Sequence, residues 1–317
     1  MKDLNDALRA VDARMMDAVA SDVTVLQEAS WHIISAGGKR VRPRVLFYAY
    51  EAAGGVDLED AISIAAAIEL VHTATLVHDD INDHGSMRRG RVTINEKWGR
   101  TFALLTGDFM FAKVYELMGP YGDLNITLAE ATTALVEGET LQAAAAKDNS
   151  LNREVYQEIV AKKTASLFRG AAMLGAQLAG AEQHIVDTLG EYGFYVGLIF
   201  QIVDDLLDLT GDPRLMGKAA HVDEAQGKGV AAAVRRPGPN GAREETQVAL
   251  AAVAVAEADD PFLPMKRRLI AGGAVEEGRQ MAEALAVQAH AALDRLPQSE
   301  AVDHLRDIIA MVKERDH

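Results

Sequence analysis

Hydrophobic and polar positions follow the spacing of amphipathic helices along most of the chain. Apolar residues recur three and four positions apart, and alanine-rich runs such as "LAAVAVAEA" and "MAEALAVQAHAAL" favour helix. Runs of β-branched and aromatic residues at period two are scarce, so nothing favours a sheet. The pattern predicts helices over residues 1–36, 58–83, 101–118, 124–147, 152–180, 182–209 and from about 244 to the end.

Glycine and proline mark the ends of these helices. Gly37 and Gly38 close the first one, and the next begins at Pro43, because proline suits a first helical turn and glycine the position past a helix end. After residues 211–213 comes the least regular stretch, and within it "RRPGPNGARE" is the only linker-like composition. We therefore predict a single domain over residues 1–317.

Composition and charge narrow the functional classes. With 317 residues and 49% hydrophobic content, the chain can bury a sizeable core. A net charge of −15 counts against nucleic acid as a partner, and the absence of cysteine excludes disulfides and thiolate chemistry. No apolar run of membrane-spanning length is apparent, and the charged start "MKDLNDALRAVDARMM" is unlike a signal peptide, so we expect a cytoplasmic protein.

Two short runs of aspartate share the spacing D-D-x-x-D. Their members are Asp79, Asp80 and Asp83 in the first run, and Asp204, Asp205 and Asp208 in the second. Residues four apart share a helix face, so the outer carboxylates of each run point the same way. One such run is also typical of a solvated acidic helix end. Two runs, the second of them after the apolar "GFYVGLIFQIV", instead indicate two helices facing across a cavity that binds Mg²⁺ and phosphate.

Basic residues accompany the aspartate runs. Lys39 and Arg42 lie where a helix begins, and helix N-termini favour anions, although a charged surface loop is the alternative. Arg88 and Arg89 have the planar guanidinium that pairs with phosphate. His72 lies two turns before the first run on the same face, where a packed core histidine is the alternative. Three lysines are candidates to reach the second run: Lys163, Lys218 and Lys228.

Several of these segments, in this order and spacing, resemble the trans-isoprenyl diphosphate synthases, or polyprenyl synthetases. They are "GGKRVRP", "ELVHTATLVHDDINDHGSMRRG", "LLTGD", the "GE" before Gln142, "KTASLF" and "FQIVDDLLDLTGD" with a later "GK". The resemblance covers about residues 36–228, and the last third matches only in helical character. The sequence departs from the family after the second aspartate run, where the family usually has "GKxTLP" and this chain has "GKGVAAAVRRPGPNGA".

The resemblance implies a role for each matching residue. Mg²⁺ would be held by Asp79, Asp83 and Asp204, with Asp80, Asp205, Asp208 and Lys163 as further catalytic residues. The diphosphate of an allylic primer would be bound by Arg88, Lys163, Thr164, Gln201, Lys218 and Lys228. The diphosphate of isopentenyl diphosphate would be bound by Lys39, Arg42, His72 and Arg89.

The same resemblance implies a fold, a reaction and an assembly. The expected fold is an all-α single large helical bundle around a deep central cavity, of the isoprenoid synthase type, usually in a homodimer. The expected reaction is Mg²⁺-dependent condensation of isopentenyl diphosphate with an allylic diphosphate to give an all-trans polyprenyl diphosphate. Mg²⁺ and cationic side chains would stabilise the departing diphosphate, and apolar walls would shield the allylic carbocation from water.

The helix wall before the first aspartate run is expected to set product length. The positions near its channel face are Thr75, Ala74, Val71 and Ala67. None is aromatic, so about twelve residues, or roughly 18 Å, carry no ring that stops a growing chain. The alternative is that these small residues only allow close helix packing. The far end of the product channel would then be blocked by Phe109, Met110 or Phe111. We predict a product longer than geranylgeranyl diphosphate, as in the longer-chain members of the family.

Three alternatives remain open at this point. A short-chain farnesyl or geranylgeranyl diphosphate synthase would share every motif and differ in product length. A class I terpene cyclase also ionises diphosphates, but two aspartate runs and "GGKRVRP" favour a second diphosphate substrate. A non-catalytic subunit of a heteromeric synthase would be expected to lose aspartates or basic residues, and this chain keeps them.

Overall fold

Helices make up almost all of the computed structural model, which describes residues 3–148, 150, 152–210 and 272–314. Lys218, Lys228 and the stretch 229–242 lie outside these residues, as does most of the helix predicted from 244 onward. The first seven helices are α1 (Leu4–Ala18), α2 (Thr24–Ile34), α3 (Val41–Ala52), α4 (Ile62–Asn82), α5 (Ile94–Trp98), α6 (Arg100–Met118) and α7 (Leu124–Asp148). The next five are α8 (Arg153–Val160), α9 (Ser166–Leu178), α10 (Gln183–Thr210), α11 (Ala274–Leu293) and α12 (Glu300–Lys313).

The N-terminal region forms two helices, so the single helix predicted over residues 1–36 is wrong. Between α1 and α2, the backbone N–H of Ser21 donates to Oε1 of Gln27 over 3.1 Å, and Oγ of Ser21 accepts from the N–H of Val23 over 3.1 Å. Side chains that bond to nearby backbone in this way compete with helix continuation. The polar stretch around Ser21 therefore ends one helix and lets the next begin at a different angle.

Helix α4 lies inside the bundle and carries the first aspartate run at its C-terminal end. It packs against α1, α3, α6 and α9, and most of its residues are buried. By length and composition, residues 58–82 are apolar enough to cross a membrane, so the expectation that no apolar run reaches membrane-spanning length is wrong. Because 78% of that apolar window is buried inside the protein, α4 has the burial of a core helix.

One continuous helical rod runs from residue 153 to 178, as predicted for 152–180, and contains an irregular turn. Helix α8 passes into α9 through a π-helical turn, Ala161–Ala165. This turn packs closely on α7, where a Cβ atom placed on Gly138 would lie 2.4 Å from the backbone nitrogen of Lys163. Single π turns inside α-helices occur frequently at functional sites, and this one carries "KKTA".

A short hairpin follows α4 and was not predicted. Strands β1 (Met87–Arg88) and β2 (Arg91–Val92) pair antiparallel, with Met87 opposite Val92. Arg88 ends strand β1, whereas Arg89 lies in the turn with a φ of 50°, so the two side chains leave the backbone in different directions. Arg88 turns toward Asp80, while Arg89 donates to the backbone carbonyl of Gly37 in the preceding loop.

Candidate active site

Most of the predicted site residues line one cavity of about 160 Å³ between α4, α10 and the helical rod. They are Arg42, His72, Thr75, Asp79, Asp83, Arg88, Lys163, Thr164, Gln201, Asp204 and Asp205. Seven predicted residues within the described ranges do not line it: Lys39, Ala67, Val71, Ala74, Asp80, Arg89 and Asp208. The two aspartate runs thus face a common space from two different helices, as their spacing indicated.

The first aspartate run divides between the cavity and the protein interior. Asp79 and Asp83 line the cavity, in keeping with their four-residue spacing on α4. Asp80 turns away from it and accepts from Nε of Arg88 over 2.6 Å, with only 4% of its side chain exposed. Burial raises the pKa of the Asp80 carboxyl, and the Arg88 guanidinium opposes that rise. Asp80 therefore orients Arg88 at the edge of the cavity.

Lys163 joins the π turn to the first aspartate run. Its ammonium lies 3.2 Å from a carboxylate oxygen of Asp79 and donates to Oε1 of Gln142 over 2.9 Å. Burial alone would lower the pKa of Lys163, but the negative charges of Asp79 and Glu139 raise it above its ordinary value. The side chain is therefore a fixed positive charge beside the cavity carboxylates.

The second aspartate run shows a similar division. Asp204 and Asp205 line the cavity from α10, whereas Asp208 lies one turn further on and outside the lining. Both carboxylate oxygens of Asp205 accept hydrogen bonds: Oδ1 from Nε2 of Gln201 over 2.9 Å and Oδ2 from the hydroxyl of Tyr156 over 2.5 Å. Asp205 is thus tied to its neighbours on both sides.

Arg42 and His72 form a basic corner of the same cavity lining. The Arg42 guanidinium stacks over the ring of Phe168, 4.6 Å from its centroid, and is almost fully buried. Burial and the positive charges of Arg42, Arg89 and Arg88 hold the pKa of His72 well below its ordinary value of 6.5. A neutral imidazole beside buried guanidinium groups is what an anion site would present before its ligand binds.

Two further predicted anion-binding residues lie near the cavity without lining it. Lys39 is exposed in the loop before α3, and Arg89 bonds to the carbonyl of Gly37 in that same loop. Arg40 holds this loop in place. Its guanidinium donates to Oε1 of Glu69 in α4 over 2.8 Å and to Oδ1 of Asp12 in α1 over 2.7 Å. Lys39 therefore lies in a loop that a buried ion pair holds in place, and Arg89 reaches the same loop from the hairpin that follows α4.

The cavity carboxylates suit a hard divalent cation whose remaining ligands are water and substrate phosphate oxygens. Asp79, Asp83 and Asp204 supply only oxygen donors, the ligands that Mg²⁺ prefers. Within the described ranges, no three histidine, aspartate or glutamate side chains converge closely enough to hold a metal ion alone. Mg²⁺ commonly binds one or two carboxylates together with waters and substrate phosphates, so these residues fit it without forming a closed cage.

The four predicted chain-length residues do not lie on one face. Thr75 lines the cavity, and its hydroxyl donates to the carbonyl of His72 over 2.8 Å. Ala67, Val71 and Ala74 are fully buried and are absent from the lining. Because α4 turns by about 100° per residue, Ala74 points well away from the face of Asp79. Their role in product length stays a prediction, and Thr75 is the one placed to exert it directly.

Several residues that shape this site received no role from the sequence. They are Arg40, Glu69, Glu139, Gln142 and Tyr156. All except Tyr156 lie within the segments that resemble the family, but their partners are not evident from a single chain. Tyr156 had a detectable signal, since it lies seven residues before Lys163 and so falls near the same helix face. Glu69 is the single acid among residues 62–78 of α4, but nothing in the sequence identified its partner, because Arg40 lies in a separate loop.

Comparison with known proteins identifies the family of this chain. The polyprenyl synthetase family matches residues 23–249. Octaprenyl diphosphate synthase of Escherichia coli is 33% identical over 98% of this chain and 96% of its own length. Heptaprenyl diphosphate synthase component 2 of Geobacillus stearothermophilus is 36% identical over 99% of this chain and 97% of its own. A polyprenyl synthase from Caulobacter crescentus, solved with calcium and isoprenyl diphosphate, superposes with a TM-score of 0.89 at 34% identity, covering 99% and 96% of the two chains.

An all-α bundle with facing aspartate runs around one cavity defines the isoprenoid synthase fold, and the predicted fold class is confirmed. The chain belongs to the polyprenyl synthetase family and is a trans-prenyltransferase, as its motifs indicated.

Proposed function

We propose that this enzyme condenses isopentenyl diphosphate with an allylic diphosphate in the presence of Mg²⁺ and releases a product longer than geranylgeranyl diphosphate. The observation that carries the proposal is the pair of aspartate runs on α4 and α10, which face one cavity together with Lys163 and Arg88. The named products of the octaprenyl and heptaprenyl relatives support a long chain. The growing tail would lead away from the diphosphate end along α4, past Thr75, which lines the cavity.

Asp79, Asp83 and Asp204 would hold the metal ions, because they line the cavity and offer hard oxygen donors. Bound Mg²⁺ would supply charge neutralisation for the diphosphate of the allylic substrate. Asp80 supports this arrangement from outside the cavity by fixing Arg88. Asp208, one turn beyond Asp204, is assigned a supporting role by the family resemblance.

Lys163 and Arg88 would bind the departing allylic diphosphate. Lys163 already carries a fixed positive charge beside Asp79, and Arg88 is held by Asp80 at the cavity edge. Charges that are positioned before the reaction stabilise negative charge developing on the leaving group without further reorganisation. Thr164 and Gln201, which bond to each other over 2.7 Å, would complete this subsite.

Arg42 and His72 would bind the diphosphate of isopentenyl diphosphate, with Lys39 and Arg89 closing over it from the loop. Both residues line the cavity, and Arg42 is held over the ring of Phe168, 4.6 Å from its centroid. Neutral His72 can donate one N–H to a phosphate oxygen without adding to the repulsion between the arginines. Separate subsites would keep the two diphosphates apart while their carbon chains meet.

The remaining lining would protect the allylic carbocation. Leu135, Ile159 and Val160 present aliphatic surface, and the ring of Phe200 faces the cavity. Apolar walls exclude water, and an aromatic face attracts a cation. After the isopentenyl double bond attacks, one proton is lost, for which the departing diphosphate is the nearest strong acceptor. No nucleophilic side chain is required for any of these steps.

Assembly as a homodimer and location in the cytoplasm belong to the same proposal. Helix α6 exposes Phe102, Leu104, Leu105 and Tyr115, each of them at least 43% accessible, and such apolar patches mark protein–protein contacts. The membrane-length apolar segment α4 is buried in the fold, which supports an enzyme that is not anchored through it.

The test is a product assay with purified protein, Mg²⁺, isopentenyl diphosphate and each allylic primer in turn. We expect products longer than twenty carbons, complete loss with EDTA and recovery with added Mg²⁺. Asp79→Asn and Asp204→Asn should lower the rate by about a thousandfold or more, whereas Asp187→Asn, an exposed aspartate on the same α10, should not. A hydrocarbon formed without isopentenyl diphosphate would indicate a cyclase instead, and an inert protein would indicate a non-catalytic subunit.

A further inference from the structure

Tyr156 is a buried tyrosine that contacts the second aspartate run. Its side chain is 6% exposed and lines the cavity from α8, and its hydroxyl donates to Oδ2 of Asp205 over 2.5 Å. Burial and the charge of Asp205 raise the pKa of Tyr156 well above its ordinary value. The phenol therefore stays protonated and acts as a donor throughout the neutral range.

The other oxygen of Asp205 is held equally firmly. Nε2 of Gln201 donates to Oδ1 over 2.9 Å, and Oε1 of Gln201 accepts from the hydroxyl of Thr164 over 2.7 Å. A chain of hydrogen bonds thus runs from Tyr156 through Asp205 and Gln201 to Thr164. Because Thr164 lies in the π turn next to Lys163, this chain connects α8, α10 and the segment that carries the cationic side chain.

We infer that Tyr156 is a positioning residue that, with Gln201, holds Asp205 as an anchor between α8 and α10 and leaves to Asp204 the role of metal ligand. The inference rests on the proposed metal-dependent function and adds a division of labour within the second aspartate run. Adjacent residues on a helix point about 100° apart, so fixing Asp205 also fixes the direction of Asp204. The hydrogen bonds to its two oxygens hold the Asp205 carboxylate in one orientation, and such outer hydrogen bonds orient the groups around a metal site.

A tyrosine elsewhere in the fold supplies a matched control. Tyr192 is fully buried in α10, and its hydroxyl donates to the backbone carbonyl of Leu305 over 2.8 Å, away from the cavity. Tyr156→Phe and Tyr192→Phe each remove one buried hydroxyl and one hydrogen bond. Both variants are expected to lose a similar amount of stability. A difference between them in kinetics or in metal binding would therefore reflect the contact of Tyr156 with Asp205.

The first measurement compares these two variants with wild type. Tyr156→Phe should lower kcat/KM for the allylic substrate by about tenfold or more and raise the half-saturating Mg²⁺ concentration several-fold, roughly as loss of one charge-assisted bond predicts. Mn²⁺ binding with inorganic diphosphate, followed by electron paramagnetic resonance, should weaken in parallel. Tyr192→Phe should stay within about twofold of wild type in all three.

The second measurement compares Asp205→Asn with Asp204→Asn. An asparagine at 205 can still accept from Tyr156, and its amide can donate to Gln201 if that side chain flips, with Thr164 then accepting. Asp205→Asn should therefore lower the rate less than about tenfold, while Asp204→Asn, which removes a charged ligand, should lower it about a thousandfold or more.

Two results would overturn the inference. One is Tyr156→Phe behaving like Tyr192→Phe in kinetics and in Mn²⁺ binding, and the other is Asp205→Asn being as damaging as Asp204→Asn. Failure of the proposed function looks different, since wild type itself would then yield no prenyl product with any primer. In that event the Mn²⁺ measurement still decides whether Tyr156 positions the acidic wall.

Discussion

The ammonium of Lys163 lies 3.2 Å from a carboxylate oxygen of Asp79, so a positive charge from the π turn reaches the acidic wall of α4. The contact joins residues that are far apart in sequence and holds the cation where the diphosphate of a substrate would bind. In the absence of substrate, Asp79 compensates this charge. A bound diphosphate would add a second negative partner for the Lys163 ammonium beside Asp79.

Replacing this lysine should impair the allylic substrate more than the fold. Lys163→Ala is expected to lower kcat/KM for the allylic primer by about a hundredfold or more, because a positioned charge is removed from the leaving group. Lys162→Ala is the control, since Lys162 is half exposed and pairs with Glu137 on the outer side. Steady-state kinetics with the two substrates varied separately would check this. A comparable loss in both variants would contradict the assignment.

A methyl group at Gly138, on the neighbouring helix α7, should displace the backbone of Lys163. Gly138→Ala places a carbon 2.4 Å from the backbone nitrogen of Lys163, a contact that requires the π turn to move. We expect a loss of about 1–3 kcal/mol in unfolding free energy and a markedly lower rate. Gly119→Ala is the matched control, because nothing lies within 4 Å of its added carbon. Thermal unfolding and turnover of both proteins would show whether the close approach matters.

An aromatic ring at Thr75 should shorten the product. Thr75 is the predicted chain-length residue that lines the cavity, so Thr75→Phe narrows the path that a growing chain must follow. The first condensation should remain nearly intact, because the new ring lies one helical turn from Asp79. Chromatography of the products would show the shift, with Thr75→Ser as a control that keeps the hydroxyl. Ala74→Phe should instead destabilise the fold, since Ala74 is fully buried and outside the lining.

The depressed pKa of His72 should make folding more sensitive to acid. The unfolded chain takes up a proton at this position below about pH 6.5, whereas the folded protein does not until the pH is well below that value. The contribution of His72 to stability is therefore present above pH 6.5 and is lost as the pH falls. Going from about pH 7.5 to 5.5, the unfolding free energy of wild type should drop by about 1.4 kcal/mol relative to His72→Gln. Denaturant titrations at both pH values would test this, and parallel curves would contradict it.

Charges on the exposed face of α6 should dissociate the proposed homodimer. Phe102→Lys combined with Leu105→Glu places two charges in a patch that would be desolvated in an interface, so the variant should run as a monomer. Val56→Lys, at a position that is 79% exposed and away from α6, is the control. Light scattering after size-exclusion chromatography distinguishes the two states. A dimer that survives the double substitution would place the interface elsewhere.

The sequence predicted the cavity better than the loops around it. Helical periodicity alone puts Asp79 and Asp83 on one face, and the repeated spacing correctly indicated that Asp204 faces the same space. It also contained the reason why Asp80 does not, since adjacent residues diverge by about 100°. The break near Ser21 was missed because it depends on side chains bonding to backbone, which periodicity does not register.

Ion pairs and hydrogen bonds between distant segments could not be predicted from the sequence. Arg40 and Glu69 form a buried ion pair between a loop and the core helix α4, and neither residue reveals the other in a single chain. The hairpin after α4 separates Arg88 from Arg89, which appeared equivalent as neighbours in the sequence. Their different surroundings follow from the turn, because Arg88 ends strand β1 while Arg89 follows it with a positive φ of 50°.

The π turn at Ala161–Ala165 makes the alignment of the site residues depend on the number of residues in one helical rod. It holds one residue more than a regular turn, while the parts of the rod before and after it keep nearly the relative rotation of an α-helix that is one residue shorter. Deleting one residue within the turn would therefore leave α8 and α9 in nearly the same register, but it would remove the wide turn that carries Lys163 and Thr164. Deleting one residue between Tyr156 and the turn would instead rotate Tyr156 against Thr164 by about 100°, although every side chain of the network would still be present. In this part of α8 chain length is as much under constraint as residue identity, so a one-residue deletion there should be tolerated less well than most substitutions.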